Sequence, residues 1–303
     1  NRSMNIKHFF YFLLIVVLIS ACQSNSEKQN KDDWNTGAIT IPTDENLKDI
    51  AEQLVEVYQH DYEQATIKLN FQPQDKIIND FINGKITSMI INRNLTKNEL
   101  ETGTQHQGTK VIENILAYNA IALIANKNFK DSTIQISDIK GYLQPNSSVK
   151  LVFDNKQSGI PKFIMQQENL DVALFKNALV VNNTNEVIEY INRNTAAIGF
   201  ITFNYISDAD AKSTQEILSK VKVLAISNNN TSVNISQQSI YDGTYNLMQP
   251  ISIVLGKNPE TVGTAFVNWT VKERAAKILL KAGLVPRVMP NRNMNIVDEL
   301  KTN

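Results

Sequence analysis

An α/β fold with helix-covered sheets is predicted by three features of this 303-residue chain. Short apolar strands alternate with amphipathic helices along most of its length, the pattern of sheets with helices packed on their faces. Two apolar strand segments, residues 111–125 and 245–255, are longer than the rest. Finally, 42% of the residues are hydrophobic and only one is cysteine, so packing and not disulfides must hold the fold.

The elements follow in order. Residues 38–41 read as a strand leading into Pro42, Thr43, Asp44 and Glu45. Leu47, Ile50, Ala51, Leu54, Val55 and Tyr58 then recur at helical spacing. Thr43 or Asp44 suits the N-cap of that helix, and acids in the first turn suit its dipole. Residues 65–71 read as a second strand and 75–83 as a helix stopped by Gly84. A third strand is expected over 86–91. Thr96 and Glu99 have the spacing of a capping box at a helix start. Residues 111–125 form the first long strand.

Beyond it, 149–153 reads as a buried strand and 158–166 as a helix. A strand over 178–181, a helix over 184–192 capped by Thr184 or Asn185, and strands over 197–201 and 221–226 come next. The second long strand covers 245–255, and 259–282 reads as a helix pair ending in Gly283, Leu284, Val285 and Pro286.

The N-terminal segment reads as an address. Met4, Asn5, Ile6, Lys7 and His8 precede an apolar run over 9–19, followed by Ser20, Ala21 and Cys22. A basic start, a short apolar core and small residues before the cleavage point are the pattern of a signal peptide. The run is too short for a membrane-spanning helix, which needs about 20 residues. With Cys22 directly after Ser-Ala, residues 1–22 read as a lipoprotein signal peptide with a lipobox. Lipidated Cys22 would become the mature N-terminus and anchor the protein to a membrane, in the cell envelope and facing the periplasm or cell exterior. Residues 23–36 are polar and read as a flexible tether, with Trp34 docking on the fold.

Several function classes are excluded by what the chain lacks. Thirty Lys and Arg balance thirty Asp and Glu, and no basic stripe suits nucleic acid. His60 and His106 stand without Cys or acidic partners at ligand spacing, so no metal site and no cofactor is expected. No nucleophile–base set or phosphate-cradling loop of an NTPase is visible, so an enzyme is not expected. Asp44 and Glu45 are adjacent and point apart on a helix, which does not make an acid–base pair.

Several stretches, in order, carry a resemblance to a known family. They are residues 37–41, 80–85, 92–96, 120–126, 152–159, 197–200 and 281–286. Together they are similar to extracytoplasmic solute-binding lipoproteins of ABC transporters, in the phosphate-binding type II periplasmic-binding-protein family. That resemblance implies a two-lobed α/β fold with a double chain crossover and a central ligand cleft. Lobe 1 would hold 37–120 and 246–303, and lobe 2 would hold 121–245, with crossovers in the two long strands. It also implies hinge closure around phosphate or a similar oxyanion, ABC permease subunits as partners, and a monomer.

Metal-free phosphate capture needs amides at helix N-termini, hydroxyl donors and usually a guanidinium. At positions matching the family, Thr43 and Asp44 sit at the first strand-to-helix turn, and Asn92 and Arg93 follow the third strand. Asp154 follows the buried strand, and Ser158, Gly159 and Ile160 open the next helix, with Pro161 in its first turn. Gly159 would let the backbone approach an anion closely.

The departures are specific. Ile160 stands where the family has a threonine, Asp154 where it has arginine, and Asn92 where it has aspartate. Residues 72–75 lack the hydroxyl of the family's serine-glycine loop. Arg93 and Asp154 are therefore expected to have exchanged the charges of the usual pair, with Asp154 orienting Arg93 through a bidentate contact. The competing expectation is a solute-binding fold reused as an envelope sensor or assembly component, with a different ligand or none.

Overall fold

The computed structural model describes residues 35–155, 158–228, 231–256 and 261–290. The expected signal peptide, Cys22 and nearly all of the tether, Trp34 included, lie outside the described residues.

The first half of the chain alternates strand and helix. β1 (Gly37–Asp44) leads through a 3-10 turn (Glu45–Leu47) into α1 (Lys48–Asp61); β2 (Ala65–Gln72), α2 (Gln74–Ile82), β3 (Ser88–Ile91) and α3 (Lys97–Gln107) follow. β4 (Ile112–Asn126) is the long strand. Then come β5 (Thr133–Gln135), α4 (Ile139–Tyr142), β6 (Lys150–Phe153), α5 (Gly159–Gln167), β7 (Leu179–Val180), α6 (Thr184–Arg193) and β8 (Ala197–Thr202). The chain continues with α7 (Lys212–Lys220), β9 (Val221–Asn228), β10 (Thr231–Val233) and α8 (Gln237–Tyr241). It closes with β11 (Met248–Leu255), α9 (Thr261–Thr270), α10 (Glu273–Lys281) and β12 (Val285–Pro286).

Both long segments are strands: β11 pairs with two neighbours, and β4 with four, β8, β9, β11 and β12. β1 pairs in parallel with β2 and β3, and β11 runs antiparallel between β3 and β4. The N-terminal part of β4 pairs with β11, while Ile121–Ala125 pair with β8. One strand thus ends a first sheet and begins a second, in which β6 lies parallel to β8 and β7. Where the two sheets meet the strand is fully covered: every residue from Ala120 to Asn126 is buried.

Alternation builds the layers of the first sheet. In β3, Ile90 faces a core shared with α1, α9 and α10, while Met89 and Ile91 face a second core beneath α2 and α3. In the first of these cores Tyr58 meets Phe266 and Trp269 edge-on, with ring centroids 5.1 and 5.5 Å away, contacts worth about 0.5–1.5 kcal/mol each beyond buried area. The second sheet has its own core, running from Ala120 to Leu247 with Val285. A Cβ on Gly199 would stand 2.7 Å from Val187 and 2.8 Å from Ile191, so the missing side chain lets α6 lie close on β8.

Some boundaries differ from expectation. The third strand begins at Ser88, because Gly84 turns the chain at φ +70° before it. The second long strand begins at Met248. α6 is capped by Asn183, whose side chain accepts the Glu186 amide, not by Thr184 or Asn185. The Thr96–Glu99 capping box is present. Among the described residues no helix is long and apolar enough to cross a membrane.

Candidate ligand site

Parallel strands present their carboxyl ends on one side, and ligand sites of open α/β sheets lie there. Asp44 and Thr202 end β1 and β8, while Asn92 and Asp154 directly follow β3 and β6. The seam between the two sheets gathers these ends, and all four residues are buried.

Asp44 caps the 3-10 turn, its Oδ1 accepting the Asn46 amide at 3.0 Å. Burial pushes its carboxyl up to about 7, opposed by the Asn46 amide and reinforced by the charge of Asp154. Burial likewise raises Asp154 to about 6, against hydrogen bonds from Ser158 and Asn46. The Ser158 hydroxyl donates to Asp154 Oδ1 at 2.5 Å and does not cap α5. Thr43 donates to the Ile41 carbonyl of its own strand at 3.0 Å.

The expected contact of Arg93 with Asp154 is absent. Arg93 instead forks onto Glu99, Nη1 to Oε2 at 2.7 Å and Nη2 to Oε1 at 2.8 Å, and Nη1 also donates to the Asn94 carbonyl. The reason is local: the capping box fixes Glu99 six residues from Arg93, and its Oε2 also accepts the Thr96 amide. Burial alone would raise the Glu99 carboxyl, but the Arg93 and Thr96 hydrogen bonds pull it down to about 2. The guanidinium is therefore committed to an ionised partner on its own side of the seam.

Gln74 and Gln249 complete the seam, and reading the sequence did not single out either as a site residue. Gln74 opens α2 after Pro73 and is fully buried. Its Oε1 accepts the Asn92 amide at 2.9 Å. Asn92 in turn reaches Gln249 Oε1 at 3.3 Å. A Cβ on Gly159 would overlap the Gln74 amide nitrogen and stand 2.9 Å from its Cδ. The glycine thus brings the first turn of α5 onto Gln74, across the seam. The only sequence signal for Gln74 was its place in the loop that lacked a hydroxyl.

Several polar atoms here have no hydrogen-bond partner: Gln74 Nε2, Gln249 Nε2, Asn92 Oδ1, Thr202 Oγ1 and Arg93 Nε. Leaving a buried polar group unpaired costs about 1–3 kcal/mol, so such a cluster is characteristic of a place meant to receive something. A separate groove of ≈ 550 Å³ runs alongside, lined by residues including Lys48, Asn185, Asn204, Tyr205 and Lys281. It shares Glu45 and Asn46 with the seam, but Asp44, Gln74, Asn92, Asp154 and Ser158 do not line it. The unpaired groups lie in the seam and do not line the groove.

The model of a PBP superfamily domain matches residues 29–274, most of the chain. The chain belongs to the PBP superfamily. Its structure has the type II periplasmic-binding-protein fold. A Clostridium perfringens substrate-binding protein, assigned to phosphate ABC transport and solved with bound phosphate, is similar at 18% identity and a TM-score of 0.68. The match covers 82% of this chain and 99% of that one. An ABC-type phosphate transport receptor from Vibrio cholerae is 21% identical with a TM-score of 0.64, over 83% and 100% of the two chains. The CcmR regulatory domain from Synechocystis, in complex with 2-PG, is 11% identical with a TM-score of 0.52, over 78% and 96%. Among curated proteins none matches significantly. At these identities the solved structures speak to the fold.

Proposed function

We propose that this PBP superfamily member is an extracytoplasmic solute-binding lipoprotein that captures phosphate or a similar oxyanion and delivers it to ABC permease subunits. In this reading residues 1–22 direct export, Cys22 carries the membrane anchor, and 23–36 form the tether. The lobes are 37–120 with 246–303, and 121–245. The protein is a monomer and no enzyme.

The observation that carries the reading is the set of unpaired buried donors, Gln74 Nε2, Gln249 Nε2 and Thr202 Oγ1, of which Gln74 lies against Gly159 at the N-terminus of α5. Donor amides at a helix N-terminus suit an anion. Ligand contacts are assigned to Thr43, Asp44, Asn92, Asp154, Ser158, Gly159 and Ile160, joined by Gln74, Gln249 and Thr202. Arg93 acts as support and not as the ligand's cation. Solved phosphate-binding proteins of the same fold add weight.

A second reading, an envelope sensor or assembly component, is favoured by the acid pair Asp44 and Asp154 with Arg93 held elsewhere. A regulatory domain of the same fold shows that the architecture is not confined to uptake. Titration calorimetry with phosphate, after unfolding and refolding to strip bound ligand, separates the two. Micromolar or tighter binding supports uptake; no heat and no thermal shift supports the second reading. Permease and ATPase genes beside this one would point the same way as binding.

A further inference from the structure

We infer that Lys162 is a positioning residue that holds the seam closed by bridging Glu99 and Asp75 from the opposite side. This deepens the solute-binding reading, on which it rests, by naming what sets the open–closed balance of that site.

Lys162 lies on α5, three residues after Gly159. Ile160 and Ile164 on either side of it are packed in the core of the second sheet. Asp75 and Glu99 sit near the starts of α2 and α3, whose apolar residues belong to the outer core of the first sheet. The ammonium of Lys162 is 3.5 Å from Glu99 Oε1 and 3.7 Å from Asp75 Oδ1. It therefore touches two helices of the other half at once.

Neither distance is that of a hydrogen bond, so the attraction is charge-based and screened by salt. Glu99 is already fixed and ionised by Arg93 and the Thr96 amide. It is an anion held mainly by the Arg93 and Thr96 hydrogen bonds, to which the charge of Lys162 adds a smaller pull. Asp75 Oδ1 is buried with no hydrogen-bond partner, so the ammonium is what faces it. Opening the seam would part Lys162 from both carboxylates. It would also part Gly159 from Gln74, whose contact lies on the same helix one turn earlier. The ligand-facing turn of α5 and its latch are thereby one rigid piece.

The test is single-molecule energy transfer in the full chain carrying Cys22→Ser, with dyes on Glu101→Cys and Lys176→Cys, one in each half. At low salt Lys162→Ala is expected to raise the open-to-closed ratio about two- to fivefold, the range of a single ion-pair cluster. Lys162→Arg should restore the wild-type ratio, and 0.5 M salt, about 4 Å of screening length, should erase the difference. Melting temperatures of the three proteins should agree, which separates a latch from a folding defect. An unchanged ratio in Lys162→Ala, or no rescue by arginine, overturns the inference. Phosphate is added in a separate arm. A wild type that ignores phosphate while Lys162→Ala opens it overturns the phosphate reading and supports the latch.

Discussion

Two buried charge clusters meet at the seam, and they are in opposite states. At one, Arg93 and Glu99 form a fork of two hydrogen bonds, and the Glu99 carboxyl is held at about 2. At the other, Asp44 and Asp154 have only amides and a hydroxyl as partners, and burial lifts them to about 7 and 6. The difference teaches how to tell scaffold from site. A buried guanidinium forked onto an ionised carboxylate is scaffold, although its Nε has no hydrogen-bond partner. Carboxyls left to titrate near neutrality, beside unpaired amides, remain available to a ligand.

The largest effect should come from breaking the forked cluster. Arg93→Ala leaves Glu99 without its fork, and chemical denaturation should report a loss of about 3 kcal/mol. Equal stability with lost ligand binding would reverse the assignment and make Arg93 a ligand residue.

The acid pair should show itself in pH dependence. In the unfolded chain Asp44 and Asp154 ionise near the ordinary aspartate value of 3.8. In the folded chain they keep their protons until pH 6 to 7. Between these limits the folded state binds more protons, so stability falls as pH rises from about 4 to about 7. Asp44→Asn should remove much of that slope. Glu99 has the opposite sign. Its contribution is present above its unfolded value of 4.5 and is lost only as pH falls through about 2. Denaturation at pH 2, 5 and 8 would display both arms.

A smaller effect is expected at the junction of the two halves. Gly159→Ala forces the Gln74 amide away from Asn92. Phosphate affinity should fall about tenfold, which equals about 1.4 kcal/mol, measured by calorimetry. Smallest should be Ser158→Ala, which removes one donor to Asp154 and should cost about 1 kcal/mol. It should also move the Asp154 step of the pH profile above about 6, because the hydroxyl favours the ionised carboxylate.

Much of the frame is legible in the sequence. The capping box at Thr96 and Glu99 is local, and local rules placed it correctly. The apolar run of β4 announced a strand buried on both faces, which the two-sheet pairing explains. The hydroxyl of Ser158, expected among the ligand donors, is turned to Asp154 four residues earlier. Arg93 was paired with the wrong acid because a charge swap read by position ignores the nearer carboxylate at Glu99.

By itself, then, the sequence determined the alternation of elements, the two long strands and the turn positions where chemistry gathers. These rest on side-chain periodicity and on interactions a few residues apart. Only the tertiary structure decided which buried groups meet. Asn92 and Gln249 touch although 157 residues separate them, and Gly159 packs on Gln74 from the other sheet. Whether a buried charge is satisfied depends on such long-range neighbours and on the water they exclude, and no local pattern encodes either.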